Sequence, residues 1–290
     1  MHTLYGGVEA GGTKFVCAIG SGAGEVLQRC EIPTTDPAET IQQVVQFFQS
    51  VPRIRALGVG SFGPVNVRVG TDSYGLIGQT PKPGWQGVNI RTELEKHLGL
   101  PVGLQTDVDV AALGERYHGK ALQSDSFIYM TIGTGIGGSI FVNGQLLHGL
   151  SHSEMGHMQL PQTHKSPSIK NTCTLHENCL EGFASGRSME LIYGTKAQNL
   201  VDEVAWDREA TFIGLGLANI LMVLPVEMVI LGGSIMKHEG MIERVRTKLL
   251  EAINGYIELP QFERYIVHAS SDSIGVLGAI KLAQLAMVTV

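Results

Sequence analysis

Three soft-ligand side chains stand three residues apart in the run CTLHENC: Cys173, His176 and Cys179. A fourth, His157, precedes Cys173 by sixteen positions. Cysteines six apart do not make the C-x-x-C pattern of a dithiol oxidoreductase, and a disulfide is disfavoured in a reducing compartment. Two thiolates and two imidazoles are instead a donor set for tetrahedral Zn²⁺, and a complete set of four leaves no position for a substrate, so the expected ion is structural. The intervening stretch 161–172 is polar and carries two prolines, an excursion that such an ion would pin. His148, His152 and His164 lie nearby and read as solvated or core histidines rather than ligands.

Two glycine-rich loops carry a different chemistry. Gly11-Gly12-Thr13 and Gly133-Thr134-Gly135-Ile136-Gly137-Gly138 each follow one apolar run and precede another. Glycines let several backbone N–H groups converge on one ligand, and convergent N–H groups bind anions. The obvious anion is a polyphosphate. Neither loop ends in the Gly-Lys-Ser/Thr of a P-loop, and neither opens a helix as a dinucleotide fingerprint does. A single loop of this kind reads as a hairpin turn, whereas two at matching positions point to a shared ligand. Asp107 is the candidate base. It follows the apolar run 101–105 and opens a helical pattern, where a helix N-terminus favours the ionised carboxylate; the plainer alternative is an N-cap aspartate. Asp109 reads as a first-turn helix residue.

The elements that must hold these residues follow from hydrophobic periodicity. Residues 5–32 read strand, Gly-Thr turn, strand, Gly turn, strand, and 126–149 repeat that grammar with Asn143-Gly144 as the second hairpin turn. Helical patterns follow in each half at 38–48, 87–97, 108–122, 208–223, 241–253 and 275–286, with short apolar strands at 56–60, 102–105 and 265–267. This is α/β grammar in two domains. The expected division is 1–108, joined by a C-terminal helix at about 275–290, and 109–274, which contains the metal segment 154–181. One glycine loop per domain predicts a ligand held between the two.

Composition narrows the class. The 290 residues are 43% apolar and 17% charged, so a large core can be buried, and 37 glycines is far above the usual share. A net charge of −6 argues against attraction to nucleic acid or anionic membrane. The longest apolar stretch, 214–233, contains Asn219, Pro225 and Glu227, and reads as a buried helix ending near Leu224, then a buried strand at 228–231 and Gly232-Gly233. Cys17 and Cys30 sit in strand-like runs as inert core thiols. The opening residues lack a basic segment followed by an apolar run, so a cytoplasmic address is expected.

With these motifs in place, the chain resembles the superfamily of sugar kinases, heat-shock chaperones and actin, and within it the ROK family, over almost its whole length. Glu9-Ala-Gly-Gly-Thr-Lys14 resembles the first phosphate motif and Gly133 to Gly138 the second. Asp107 with Ala111-Ala-Leu-Gly-Glu115 resembles the catalytic segment, and Glu154-Met-Gly-His157 with Cys173 to Gly186 the zinc region. Leu231-Gly232-Gly233-Ser234 resembles the adenosine-side loop. Glu9, the run Thr80-Pro-Lys-Pro-Gly-Trp85 and the Cys-x-x-His-x-x-Cys spacing resemble the fructokinase and mannokinase branch. Where the family often has Asn-Asp-x-Asn, this chain has Thr106-Asp107-Val108-Asp109.

The resemblance implies a two-domain, actin-like and ribonuclease-H-like ATPase fold with duplicated β-meander cores. It implies ATP-dependent phosphorylation of a hexose 6-hydroxyl, D-fructose first, with mannose or glucose as alternatives and Asp107 as general base. ATP with Mg²⁺ would be held by Glu9, Gly11, Gly12, Thr13, Lys14, Gly133, Thr134, Gly135, Gly137, Gly138, Gly232 and Gly233. For Lys14 the exposed-strand alternative stays open. Gly63, Pro64, Trp85, Thr106, Asp107, Glu154, His157 and Glu181 would meet the sugar; for Trp85 a packed core aromatic is the alternative. Zinc on His157, Cys173, His176 and Cys179 would fix two sugar carboxylates, so stripping it should damage sugar binding more than ATP binding. A homodimer is expected. A sugar-responsive regulator would need a DNA-binding segment, for which nothing before Glu9 gives room. An actin-like nucleotide switch would not need the zinc segment and the sugar-type carboxylates.

Overall fold

The structure, a computed structural model, describes residues 3–51, 54–161 and 169–287. The chain opens with strands β1 (Leu4–Ala10), β2 (Lys14–Ser21) and β3 (Val26–Pro33), then α1 (Pro37–Gln49), β4 (Ile54–Ser61), α2 (Ile90–Leu98), β5 (Val102–Thr106) and α3 (Asp107–His118). It continues with β6 (Phe127–Ile132), β7 (Ile136–Val142), β8 (Gln145–Leu146), α4 (Leu180–Ala184), α5 (Gly186–Tyr193) and α6 (Glu203–Val223). The last elements are β9 (Met228–Gly232), α7 (Met241–Ile253), α8 (Phe262–Tyr265), β10 (Ile266–His268) and α9 (Ile274–Ala286). Helix starts follow side-chain caps. Asp36 accepts from Ala38 N ahead of α1, Asn89 from Thr92 N ahead of α2, and Asp202 from Val204 N ahead of α6. The apolar stretch at 214–233 resolves as expected into the end of α6 and then β9. Among the described residues no helix is long and apolar enough to cross a membrane.

These elements form two compact units: residues up to 123 with 148–152 and those from 270 onward, and residues 124–147 with 153–269. In the first unit the sheet order is β3-β2-β1-β4-β5, with β1–β3 antiparallel and β4 and β5 parallel to β1. In the second the order is β8-β7-β6-β9-β10, with the same directions. The repeat expected from the glycine-loop grammar is therefore a repeat of whole sheets, each a meander extended by two parallel strands.

Register explains what gathers at each sheet edge. Ala10 pairs with Ser61, and Ser61 with Thr106. Three neighbouring parallel strands thus end in one row and release Gly11, Phe62 and Asp107 at the same edge. In the second unit Thr131 pairs with Gly232 and Leu231 with His268, which brings the loops after β6, β9 and β10 out together. Ligands of open α/β sheets bind at such carboxyl edges.

The expected boundary after residue 108 is corrected. Helix α3 stays with the first unit because its continuous buried run, Val108 to Glu115, packs against α9, with Gly114 and Gly278 at the crossing. The fully buried Glu115 carboxylate ties α3 to the segment leading into α9, accepting from Ser270 N at 2.7 Å and from Ser270 Oγ at 2.6 Å. Residues 162–168, with His164, and 288–290 at the end of the expected C-terminal helix lie outside the described residues.

Candidate active site

Asp107 is the first residue of α3 and its Oδ1 accepts from Val108 N at 2.9 Å. Burial pushes its carboxyl up to about 6; Asp109 adds to the rise and His152 opposes it. Glu9, on β1, is pushed up to about 7 by burial first and by Asp107 second, against the pull of Arg29 and Lys14. A carboxylate such as Glu9, whose ionisation burial and Asp107 oppose, gains from a nearby cation, and its oxygen donors suit a hard one such as Mg²⁺. Thr106 caps α3: its buried hydroxyl accepts from Asp109 N at 3.1 Å. Asp109 is a buried first-turn residue as expected, and its Oδ2 lies 3.0 Å from His148 Nε2.

His148 and His152, read from sequence as bystanders, therefore belong to this edge. A Cβ on Gly63 would stand 3.7 Å from His152 Cε1, so the Gly63-Pro64 turn lies beside the same ring. Only the fold shows this: the five-residue return 148–152 is what carries both histidines to the first unit.

The first glycine loop is held by its neighbours. Gly11 N donates to Lys14 O at 3.0 Å, Thr34 Oγ1 donates to Gly11 O at 2.8 Å, and Thr34 N donates to Thr13 O at 3.0 Å. The Gly12 and Thr13 amides donate to no other backbone group among the described residues. Lys14 resolves to its exposed-strand alternative, with Nζ 2.7 Å from Glu31 Oε2. Trp85 resolves to its core alternative. It is 1% exposed, packs on Phe15 and Phe62, and spends its indole N–H on Thr35 O at 2.9 Å.

In the second unit the loop at 133–135 closes on itself, Gly133 N donating to Gly135 O at 2.9 Å. It is braced by Gly186 N on Gly133 O at 2.7 Å and Arg187 N on Thr134 O. Gly137 and Gly138 both lie inside β7, opposite Thr131 and Met130, and a side chain at 138 would fall 2.2 Å from Met155 Sδ. Gly138 makes room for the Glu154–His157 segment through Met155. Gly232 is buried under Tyr129, while Gly233, at φ +92°, makes the turn that brings Ser234 out beside Gly133.

A cavity of about 560 Å³ opens next to this pair of loops. Thr134, Gly186, Arg187, Lys196, Ser234 and His238 are among its lining residues, with His238 stacked flat on Trp206 at 3.7 Å between ring centroids. The size is that of a small-ligand site. Apart from Thr134 and the loop leading to Ser234, sequence motifs did not single out this lining, because Arg187, Lys196 and His238 converge from separate segments.

The donor set around Cys179 assembles as expected. Ligand atoms of His157, Cys173, His176 and Cys179 all lie within 4.8 Å of one another, and all four cysteines of the chain are free thiols. His157 Nδ1 is buried without a hydrogen-bond partner, an orphan that a metal would satisfy. Burial pushes the Cys179 thiol up to about 11, a cost that a bound divalent cation reverses by displacing the proton. The same residues reach the second glycine loop through Glu181. Its Oε1 is 3.9 Å from His157 Nε2 and its Oε2 accepts from Ile136 N at 2.8 Å.

Comparison with known proteins gives the family. The ROK family profile matches residues 5–286. A Bacillus subtilis protein is 39% identical over 98% of this chain and 96% of its own length. The fructokinase of Pediococcus pentosaceus is 37% identical over 98% and 99%. The crystal structure of a ROK hexokinase from Thermus thermophilus superposes with a TM-score of 0.82, at 27% identity, over 99% of this chain and all of the other.

Proposed function

The chain belongs to the ROK family, and from that premise we propose that it is an ATP-dependent fructokinase that phosphorylates the 6-hydroxyl of D-fructose. One observation carries the chemistry: Asp107 leaves the sheet in the same row as the first glycine loop, and its carboxyl is pushed up to about 6. Phosphoryl transfer asks little covalent work of a protein. It needs alignment, neutralisation of charge and a group to take the hydroxyl proton.

Asp107 takes that proton as the sugar oxygen attacks, and a base near its own pKa at working pH is well matched to the step. Glu154, His157 and Glu181, with Gly63 and Pro64, hold the hexose hydroxyls. Gly11, Gly12, Thr13, Gly133, Thr134 and Gly135 supply backbone N–H and hydroxyl donors to the phosphates, and the cavity beside Thr134 and Ser234 takes the nucleoside. Glu9 would hold Mg²⁺, which when bound neutralises the phosphate oxygens. His157, Cys173, His176 and Cys179 would hold Zn²⁺ as a structural ion, which cross-links their segment and does no chemistry. The enzyme works in the cytoplasm as a homodimer, without nucleic acid or membrane partners; light scattering that gives a monomer would contradict the dimer.

A coupled ADP-release assay over fructose, mannose, glucose and N-acetylmannosamine tests the assignment. Turnover should be highest with fructose. Absence of turnover on every hexose would remove the kinase reading, and preference for another hexose would move the specificity alone.

A further inference from the structure

We propose that Lys82 is the cation that contacts the phosphoryl group in transfer at the first glycine loop. The proposal rests on the kinase reading above and extends it to a residue outside the phosphate motifs. A Cβ built on Gly12 would stand 2.6 Å from Lys82 Cε and 2.9 Å from Lys82 Nζ. The ammonium group thus lies directly over the one glycine of the turn whose amide, with that of Thr13, donates to no other backbone group among the described residues. Any side chain at position 12 would displace the lysine, which gives this glycine a reason beyond loop geometry.

The surroundings leave the charge of Lys82 uncompensated. It forms no ion pair among the described residues, whereas Lys14, the lysine of the motif itself, is bonded to Glu31. Glu9 and Asp107 make this part of the first unit acidic. The dianionic terminal phosphate of ATP entering there meets carboxylates and needs a positive partner.

The segment that carries Lys82 is built to hold it over the loop. Trp85 N donates to Lys82 O at 3.2 Å, closing a four-residue turn with Pro83 and Gly84 at its centre. The Trp85 indole is sunk in the core against Phe15, two residues beyond Thr13, and hydrogen-bonds Thr35 O. Thr34, adjacent, braces Gly11 and Thr13 through its own hydroxyl and amide. One set of contacts therefore fixes both the glycine turn and the lysine above it. This is the role the structure gives the tryptophan in place of walling the sugar.

Two measurements decide the matter. In ADP release with saturating fructose, Lys82→Met should lower kcat roughly a hundredfold, the usual cost of removing one transition-state charge partner, with the fructose KM within about threefold. Lys82→Arg should recover most of the rate. In calorimetry without sugar, Lys82→Met should weaken ATP binding by about tenfold and leave ADP, which lacks the transferred group, unchanged. Unaltered melting temperature separates these effects from misfolding. Wild-type kcat in Lys82→Met, a loss confined to the fructose KM, or equal weakening of ATP and ADP would each overturn the proposal. If the wild type turns over no hexose, the kinase reading falls, and the ATP-to-ADP comparison still decides the role of Lys82.

Discussion

Glu181 Oε2 accepts a hydrogen bond from the backbone amide of Ile136 at 2.8 Å, while its Oε1 lies 3.9 Å from His157 Nε2. One carboxylate therefore joins the residue that starts β7, just beyond the second glycine loop, to a member of the Cys₂His₂ donor set. Glu181→Ala should lower kcat/KM for both ATP and fructose by at least about tenfold, because a buried amide loses its acceptor and the loop its brace. Glu181→Gln keeps an acceptor for Ile136 N and should spare ATP affinity while still weakening fructose. Isothermal titration with each ligand reads the difference.

The same bond alters what is expected of the metal. From sequence, removing zinc should harm sugar binding more than ATP binding. With Glu181 bridging to the glycine loop, chelation should raise the KM for fructose and for ATP together, the sugar still the more affected. Metal analysis of purified protein should find close to one zinc per chain. Fully active protein without zinc would refute the structural site.

The raised carboxyl of Asp107 sets a pH limb. An ionised base is required, so kcat should fall as pH drops through about 6, where Asp107 takes up its proton. Above that the profile should be flat until another group titrates. A profile unchanged down to pH 5 would mean that Asp107 does not gate the step.

Stability should run the other way. A carboxyl whose pKa is higher in the folded than in the unfolded chain contributes stability below its unfolded pKa, and that contribution is lost as pH rises through the folded value. For Asp107, with an ordinary value of 3.8 and a folded value of about 6, the window lies between these two. Asp107→Asn should therefore melt about 2–4 °C higher than wild type at pH 8, the shift that about 1 kcal/mol produces in domains of this size. The gain should vanish near pH 4. Thermal scans at both pH values provide the check.

Much of this was legible in the residues. Strand, Gly-Thr turn and strand are local signals, so both meanders, the two loops and the Asp107 helix start could be read directly, as could the Cys173–His176–Cys179 spacing. Contacts made by folding could not. Asp109 meets His148 across 39 positions, and α3 packs on α9, the last helix of the chain. Trp85 and Lys14 stand beside motif residues, yet burial claims the first and Glu31 the second. Gly138 and Gly232 look like ligand loops in sequence but are spaces for Met155 and Tyr129, which only packing reveals.

The central claim is that Asp107 serves as the base for phosphoryl transfer from ATP to fructose. Steady-state ADP release with fructose, comparing wild type with Asp107→Asn at pH 7.5, tests it most directly. With Asp107 as the base, the substitution lowers kcat by about 10²–10⁴-fold and leaves fructose affinity nearly intact. Turnover by Asp107→Asn within a few fold of wild type would contradict it.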